Sequence, residues 1–381
     1  MLPKVSVWMI TYNHEQYIEK AVESVMMQDY PNLEIVIGED CSTDCTRDIL
    51  LNLKDKYPDK VKLILHKKNV GMMKNEIITR NECDGEYIAY LDGDDYWIDP
   101  QKISKQYKFL SENSEYIMCF HQTKVINESN LPFPEYLLSS SNKRTEFSIE
   151  DIISGLFLQI GTMMSKNIPV DYVDWRENIK YGDRYIYLML ARHGKIKYLN
   201  ECMAAYRVHP GGVWSTHHQN TRVENWLNKM YLFENFDKYT DYRYTDTIKK
   251  SIQAMKVEVF VEKIRLIEQY PEVENDVDIV KHKLFKKIRN RDICIFGAGT
   301  GGLRCKTFLN KVGIEPIYVI DNDSNKWGSF LDGVEIAPPS KLNKNKHFII
   351  ISSDFYKEIN DQLITLKLEK DKDFNNLFEI L

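Results

Sequence analysis

The chain lacks three features that would assign it to broad classes of protein: long apolar runs, closely spaced cysteine pairs and an excess of positive charge. No apolar stretch approaches the roughly 18 residues that a membrane-spanning helix requires, so an integral membrane protein is excluded. Lys and Arg number 51 against 56 for Asp and Glu, which gives a formal net charge of -5. A dedicated nucleic-acid-binding protein normally carries a strong basic excess, so nucleic acid is not an expected partner.

The cysteines argue against a disulfide framework or a structural zinc site. There are 7, an odd number, and no two are spaced as Cys-x-x-Cys. This pattern predicts reduced thiols in a cytoplasmic protein. The segment Met1–Ile10 has no basic stretch followed by a long apolar run, and it predicts a first strand instead of a signal peptide.

Hydrophobic residues make up 43% of the 381 residues, enough to bury a sizeable core in two or three domains. In the first hundred residues, short apolar runs alternate with segments of helical spacing. This alternation predicts an α/β fold with a parallel-rich sheet and flanking helices. The predicted strands are Val5–Ile10, Leu33–Ile37, Val61–Leu65 and Tyr87–Leu91, and the predicted helices are Tyr17–Met27 and Arg47–Leu53.

The pattern changes twice further along the chain. Long, charged helical stretches begin near Thr216, and strand-like segments return at Asp292. We therefore predict an α/β domain over residues 1–215, a helical connector over residues 216–290 and a small second α/β domain over residues 291–381.

An acidic turn follows the fourth predicted strand, in the order Asp92-Gly93-Asp94-Asp95. Three carboxylates this close repel one another unless a cation lies between them, and oxygen ligands suit Mg²⁺ or Mn²⁺. The alternative is a polar surface turn, because Asp-Gly is common in hairpins. In a parallel sheet, ligands bind beyond the carboxyl ends of the strands, where this turn is expected to lie.

This turn and the residues before it closely resemble family 2 glycosyltransferases, which have the GT-A fold. The resemblance covers residues 1–215, and one departure is Cys41, where the family usually has Gly in Asp-Asp-Gly-Ser. The other matching stretches are Val5–Val7 with Thr11–Asn13, Ser24 with Gln28, Tyr30 and Pro31, Leu33–Ile35, Asp40 with Ser42–Asp44 and Thr46, Asn69 with Gly71, Arg80–Asn81 and Gly85–Ile88.

The resemblance implies a metal-dependent, inverting transfer of a sugar from a nucleotide-sugar donor, predicted to be a UDP-sugar. It implies that the metal, Mn²⁺ or Mg²⁺, is held by Asp94 with help from Asp95 and His209. His209 lies in Tyr206-Arg207-Val208-His209, which resembles the segment that closes such domains. The residues implied to bind the donor nucleotide are Thr11, Tyr12, Asn13, Asp40, Arg80 and Asp92.

Inverting transfer requires a base that takes the proton of the acceptor hydroxyl. Asp183 opens an apolar helical segment, where family members carry their catalytic aspartate, and we predict it as the base. Asp174 and Glu177 are lesser candidates. An acidic residue at a helix start is also favoured by the helix dipole alone, so a purely structural Asp183 is the alternative.

A glycine-rich segment, Gly297–Gly302, follows the apolar stretch Ile293–Phe296 and precedes a predicted helix. It fits Gly-x-Gly-x-x-Gly, with Asp321 at the end of the next strand. The segment resembles Rossmann-like domains appended to sugar-modifying enzymes. Two interpretations follow for this domain. It either has a second nucleotide site, formed by Gly297, Gly299, Gly302 and Asp321, or is a scaffold. The basic stretch Lys281–Arg291 is either a solvated linker or a contact for anionic lipid.

The predicted function is therefore glycosyl transfer to a glycan or lipid-linked acceptor in bacterial surface polysaccharide assembly. The predicted location is the cytoplasm, with the inner face of the membrane as a candidate contact. One rival is a non-catalytic sugar-nucleotide-binding or assembly protein, against which the intact Asp40, Asp92, Asp94 and Asp183 argue. The other is a sugar nucleotidyltransferase, which would need a glycine-rich basic loop where Thr11–His14 stands.

Overall fold

A computed structural model of the chain describes residues 2–129, 131–137, 144–180, 182–212, 221–269, 288, 291–311, 313–352 and 356–376. The chain divides into two compact units, Met1–Gln219 with Asn228–Ser251, and Asn220–Leu227 with Ile252–Leu381. The domain boundaries at residues 215 and 290 stay predictions. The basic positions from Lys281 to Arg289 and the loop residues Val213–His218 lie outside the described residues.

The first unit contains a mixed sheet whose described strands are β1 (Val5–Thr11), β2 (Leu33–Glu39), β3 (Val61–Leu65), β4 (Tyr87–Tyr90), β5 (Tyr96–Trp97), β6 (Tyr116–Asn127), β7 (Pro132–Leu137), β8 (Glu146–Phe147), β9 (Met164–Lys166) and β10 (Lys195–Val208). Their order is β3-β2-β1-β4-β9-β6-β10-β5, with β7 beside β6 and β8 beside β10. Strands β1 to β4 are parallel, whereas β9 runs antiparallel to both β4 and β6.

The described helices before residue 270 are α1 (Ile18–Met26), α2 (Thr46–Lys56), α3 (Met72–Asn81), α4 (Lys102–Glu112), α5 (Ile149–Ser154), α6 (Gly182–Ala191), α7 (Thr221–Tyr239) and α8 (Thr245–Gln269), and the last two each belong partly to the second unit. Two short 3-10 helices cover Ile160–Thr162 and Asp174–Asn178. Helix α1 buries Ile18, Ala21, Val22 and Val25, the face that its sequence spacing predicts. Within the described residues, no helix is both long and apolar enough to cross a membrane.

The centre of the first sheet is β1, which pairs with β2 on one side and β4 on the other. Val7 lies opposite Ile35 and Ala89, and all three are fully buried in the main apolar core. Because β1, β2 and β4 are parallel, their carboxyl ends meet at one edge of the sheet. The predicted α/β class with a parallel-rich sheet and flanking helices is confirmed.

The second unit has its own six-stranded sheet. Its elements are β11 (Asp292–Phe296), α9 (Thr300–Lys311), β12 (Tyr318–Ile320), β13 (Phe330–Leu331), β14 (Val334–Ala337), β15 (His347–Ile351), α10 (Tyr356–Thr365) and β16 (Phe374–Asn376). The strand order is β13-β14-β12-β11-β15-β16, and every pair except β13 with β14 is parallel. The central strands are almost wholly apolar because helices cover a parallel sheet on both faces.

Cys41 has a φ of 60°, in the left-handed region that favours glycine. We expect Cys41→Gly to raise the melting temperature by roughly 1–3 °C, since the strain of a side chain at positive φ outweighs the extra freedom of glycine in the unfolded chain. Cys45→Gly makes the same chemical change at a φ of -78° and should not stabilise the protein. Differential scanning calorimetry of both variants checks this, and a lower melting temperature for Cys41→Gly would contradict it.

Candidate active site

The acidic turn packs directly against the loop that follows β1. The amide of Gly93 donates to the carbonyl of Ile10 at 3.1 Å. A Cβ atom at Gly93 would lie 2.7 Å from Thr11 Oγ1 and 3.0 Å from His14 Nδ1. Only glycine fits here, and its small size lets the aspartates on either side approach the end of β1.

Asp94 lies between two histidines from distant parts of the chain. Its Oδ2 is 3.0 Å from His209 Nε2 and 3.8 Å from His14 Nε2, and one potential ligand atom from each of the three residues lies within 4.8 Å of the others. The His209 ring packs on Tyr17 at a centroid distance of 4.7 Å. Burial would raise the pKa of Asp94, but His14 and His209 outweigh it and the pKa is lowered.

Asp92 and Asp95 complete a second close group with Asp94, again with ligand atoms within 4.8 Å. Burial and the charge of Asp94 raise the pKa of Asp92 and of Asp95 well above the usual value. Asp95 is braced, because its Oδ1 accepts from the amide of Arg207 and its Oδ2 from Gln159 Nε2, both at 2.8 Å.

These residues fit a divalent cation. Carboxylate oxygens are the preferred ligands of Mg²⁺ and Mn²⁺, and imidazole nitrogens suit transition metals. The raised pKa values of Asp92 and Asp95 reflect crowded, buried negative charge, which a cation would relieve. The predicted residues Asp94, Asp95 and His209 thus lie together, and the structure adds His14.

The predicted nucleotide-binding residues on the neighbouring strand ends hold loops together. Asn13 has a φ of 55°, and its Oδ1 accepts from the amide of Thr43 at 2.8 Å. The Asp40 carboxylate accepts from the amides of Val70 at 2.7 Å and Gly71 at 2.9 Å. Asp40 therefore fixes the segment before α3.

The remaining predicted donor residues differ in their exposure. Thr11 is buried, and its Oγ1 lies 3.2 Å from His14 Nδ1. Tyr12 is 41% exposed at the edge of the sheet. Arg80 is buried on α3, where its Nη2 donates to the carbonyl of Ile168 at 3.1 Å.

Asp183 lies in the first turn of α6 and is half-buried. Burial raises its pKa, against the opposing charge of Arg184. The charge of Asp183 also contributes to the raised pKa of Asp92, so the two carboxylates are close enough to interact. Asp174 and Glu177, in contrast, are exposed on their 3-10 helix.

Glu76 on α3 is a buried carboxyl group that the sequence analysis did not single out. It is 4% exposed, and burial raises its pKa to about 7 against the opposing charge of Arg176. Its charge contributes to the raised pKa of Asp92, as that of Asp183 does.

In the second unit, the glycine-rich turn and Asp321 contact each other. The Asp321 carboxylate accepts from the amides of Ala298 and Asp323, both at 2.8 Å. A Cβ at Gly302 would lie 1.9 Å from the Gly297 carbonyl oxygen, whereas one at Gly299 would meet nothing within 4 Å. Packing explains Gly302, and the nucleotide site at this turn stays a prediction.

Sequence reasoning missed His14, Glu76 and Gln159. His14 directly follows the predicted loop Thr11–Asn13, so its position in the sequence could have identified it as a site residue. Glu76 and Gln159 carry no local signal, because each gains its role from a residue far away in the chain.

Comparison with known proteins identifies the family. Residues 6–168 match the family model described as Glycosyl transferase family 2. The putative teichuronic acid biosynthesis glycosyltransferase TuaG of Bacillus subtilis is 30% identical over 210 residues, covering 54% of this chain and 79% of TuaG. This chain belongs to glycosyltransferase family 2.

This chain covers less than two thirds of the length of its mycobacterial relatives. An uncharacterised protein of Mycobacterium tuberculosis is 33% identical over 220 residues, which cover 57% of this chain and 62% of that protein. S. aureus TarS 1-349 in complex with UDP-GlcNAc is 19% identical with a TM-score of 0.45, over 81% of this chain and 88% of that chain. Residues 289–374 of this chain match a model described as C2185-like, N-terminal.

We expect Mn²⁺ to raise the melting temperature of the protein more at about pH 7.5 than at about pH 5.5. The pKa values of Asp92 and Asp95 are raised, so the metal-free fold holds protons there that a cation must displace. Because their pKa values are raised in the folded state, Asp92 and Asp95 stabilise the metal-free fold at low pH. This contribution to stability is lost as the pH rises. Thermal shift with and without Mn²⁺ checks this, and a larger effect at the lower pH would contradict it.

Proposed function

We propose that this chain is a metal-dependent, inverting glycosyltransferase that moves a sugar from a UDP-sugar donor to a hydroxyl group of a glycan or glycoconjugate acceptor. The observation that carries the proposal is the meeting of Asp94, His209 and His14 beside Asp92, within electrostatic reach of Asp183. Membership of family 2 supports transferase chemistry at this edge of the sheet.

Asp94, His209 and His14 would hold the cation, with Asp92 beside them. Bound there, Mn²⁺ or Mg²⁺ would neutralise charge on the departing nucleoside diphosphate. Two imidazoles with a carboxylate favour Mn²⁺ over Mg²⁺, because Mg²⁺ prefers oxygen ligands. Asp95 would orient the turn through its bonds to Arg207 and Gln159.

The nucleotide would bind along Thr11–Asn13 and Asp40. Each Asp40 oxygen already accepts one backbone amide. An ionised carboxylate offers about four lone-pair positions, so Asp40 can still accept the N–H of uracil. Its anchored position would hold the base without a change of rotamer. Arg80, on α3, would add a positive charge near the donor phosphates.

Asp183 would act as the base. A carboxylate with a raised pKa is a better proton acceptor for a hydroxyl than an unperturbed one, and burial raises the pKa of Asp183. Its proximity to Asp92 supports an acceptor hydroxyl lying between the base and the donor sugar.

The acceptor would be a glycan or lipid-linked saccharide in bacterial surface polysaccharide assembly, at the cytoplasmic face of the membrane. The name of TuaG refers to teichuronic acid biosynthesis. A Campylobacter jejuni relative, 26% identical over 54% of this chain and 65% of its own length, is named GalNAc(5)-diNAcBac-PP-undecaprenol beta-1,3-glucosyltransferase. The first name supports a glycan acceptor, and the second supports a saccharide linked to a lipid, undecaprenol.

We expect Asp94→Ala to abolish Mn²⁺-dependent binding of UDP while leaving the fold intact, because the variant loses the carboxylate shared by both groups of potential ligands. Isothermal titration of UDP with Mn²⁺ measures this. Asp59→Ala, at an exposed turn, is the matched control and should bind as the parent does. Unchanged titration of Asp94→Ala would remove the metal site from this turn.

A spectroscopic measurement tests His14 separately. Electron spin-echo spectra of bound Mn²⁺ should show nitrogen coupling that weakens in His14→Gln and persists in the control His193→Gln, whose imidazole is exposed. Equal nitrogen coupling in His14→Gln and the parent would exclude His14 as a ligand.

We expect Asp183→Asn to slow sugar transfer by about 10²–10⁴-fold, since the amide keeps the shape but cannot accept the proton. UDP affinity should stay near that of the parent. Transfer is measured with a panel of UDP-sugars and surrogate acceptors, and NMR of the product should show inverted anomeric configuration. Asp174→Asn is the control, and transfer by Asp183→Asn within about threefold of the parent would assign the base elsewhere.

A further inference from the structure

Glu76 makes a buried contact with the start of the helix that carries Asp183. Its Oε2 lies 2.9 Å from Arg176 Nη2, in a pair whose side chains are 5% and 2% exposed. Its Oε1 is buried and has no hydrogen-bond partner among the described residues. Such a group is costly to bury, so its location calls for a structural reason.

Gly182, the first residue of α6, lies against the Glu76 carboxylate. A Cβ at Gly182 would be 2.0 Å from Oε2 and 3.0 Å from Oε1. Any side chain at position 182 would therefore clash with Glu76, and glycine is what allows the start of the helix to lie this close to the carboxylate. The amino end of a helix carries partial positive charge, which favours a carboxylate at this point.

Arg176 contacts both α3 and α6. Its Nη1 donates to the carbonyl of Met73 on α3 at 3.3 Å. Its guanidinium lies 5.1 Å from the ring of Tyr172 and 4.9 Å from the ring of Tyr185 on α6. Arg176 thus joins α3 to α6 through a salt bridge, a hydrogen bond and aromatic contacts.

Glu76 is itself fixed to the central strand. Trp8 on β1 donates its indole N–H to the Glu76 carbonyl at 3.1 Å, and Asn75 donates to the carbonyl of Gly38 on β2 at 2.8 Å. The path from β1 to Gly182 therefore runs through buried contacts. Three residues after Trp8, β1 ends at Thr11, beside the acidic turn.

We propose that Glu76 and Arg176 form a positioning pair, which fixes the amino end of α6 against the sheet and so sets where the Asp183 carboxylate lies relative to Asp92. This inference rests on the proposed role of Asp183 as the base. Stability alone does not explain the pair, because apolar side chains of similar volume often replace a buried ion pair without loss of stability.

The first test replaces the pair by uncharged side chains in Glu76→Met/Arg176→Met. We expect this variant to fold and to bind UDP with Mn²⁺ as the parent does, while the rate at saturating donor falls about 10-fold to 100-fold, because small misplacement of a reacting group is costly. The control, Lys62→Met/Glu82→Met, removes an exposed ion pair between β3 and the residue that follows α3, and it should retain the parent rate.

The outcomes of this test separate the two proposals. Transfer by the double variant within about twofold of the parent would overturn the positioning role. A parent chain that neither binds UDP with Mn²⁺ nor transfers sugar would instead overturn the proposed function.

The second test does not depend on catalysis. Gly182→Ala should lower the melting temperature by several degrees in the parent and by less in a Glu76→Ala background, because the clash is with the Glu76 carboxylate. Gly299→Ala, which adds a methyl group to open space, is the control in both backgrounds. Equal shifts for Gly182→Ala in the two backgrounds would show that Glu76 does not confine the start of α6.

Discussion

The crowding of negative charge at one edge of the first sheet is the constraint on which the rest of the site depends. Asp92, Asp94 and Asp95 lie within ligand distance of one another, with Asp183 and Glu76 in electrostatic reach. Each neighbour makes ionisation of the next harder. Neighbouring residues compensate for this charge. His14 and His209 lie beside Asp94, and Arg207 and Gln159 donate hydrogen bonds to Asp95.

The site combines two halves that contribute different chemistry. The parallel strands β1, β2 and β4 bring together the predicted nucleotide residues and the acidic turn, while His209 directly follows β10 and Asp183 lies on α6. Close approach requires glycine at two contacts: Gly93 against Thr11 within the first half, and Gly182 against Glu76 between the two halves. The buried Glu76–Arg176 pair is where the strand-bound half contacts the helix carrying Asp183.

The second unit also has a strand, a turn and a helix in succession, but there the acidic residue Asp321 is already bound by backbone amides and a lysine. Both Asp321 oxygens accept backbone amides of nearby turns, and Lys326 lies 3.2 Å from one of them. Burial would raise the pKa of Asp321, but these partners lower it. The Asp321 carboxylate therefore stabilises the conformation of the glycine-rich turn. Gly299 leaves the backbone open toward solvent, the feature that a phosphate would require.

The sequence by itself determined the α/β class, the strands β1 to β4 and the acidic turn, because apolar periodicity and turn residues act over a few neighbouring positions. The family pattern also predicted Asp94 and His209 as metal ligands, a role that stays a prediction, and the structure has them 3.0 Å apart. Only the tertiary structure decided that His14 lies beside Asp94, that Gln159 braces Asp95 and that Glu76 lies against Gly182. These three contacts join residues that are between 64 and 106 positions apart in the chain. Local sequence cannot specify them, because they arise only when separate strands and helices pack together.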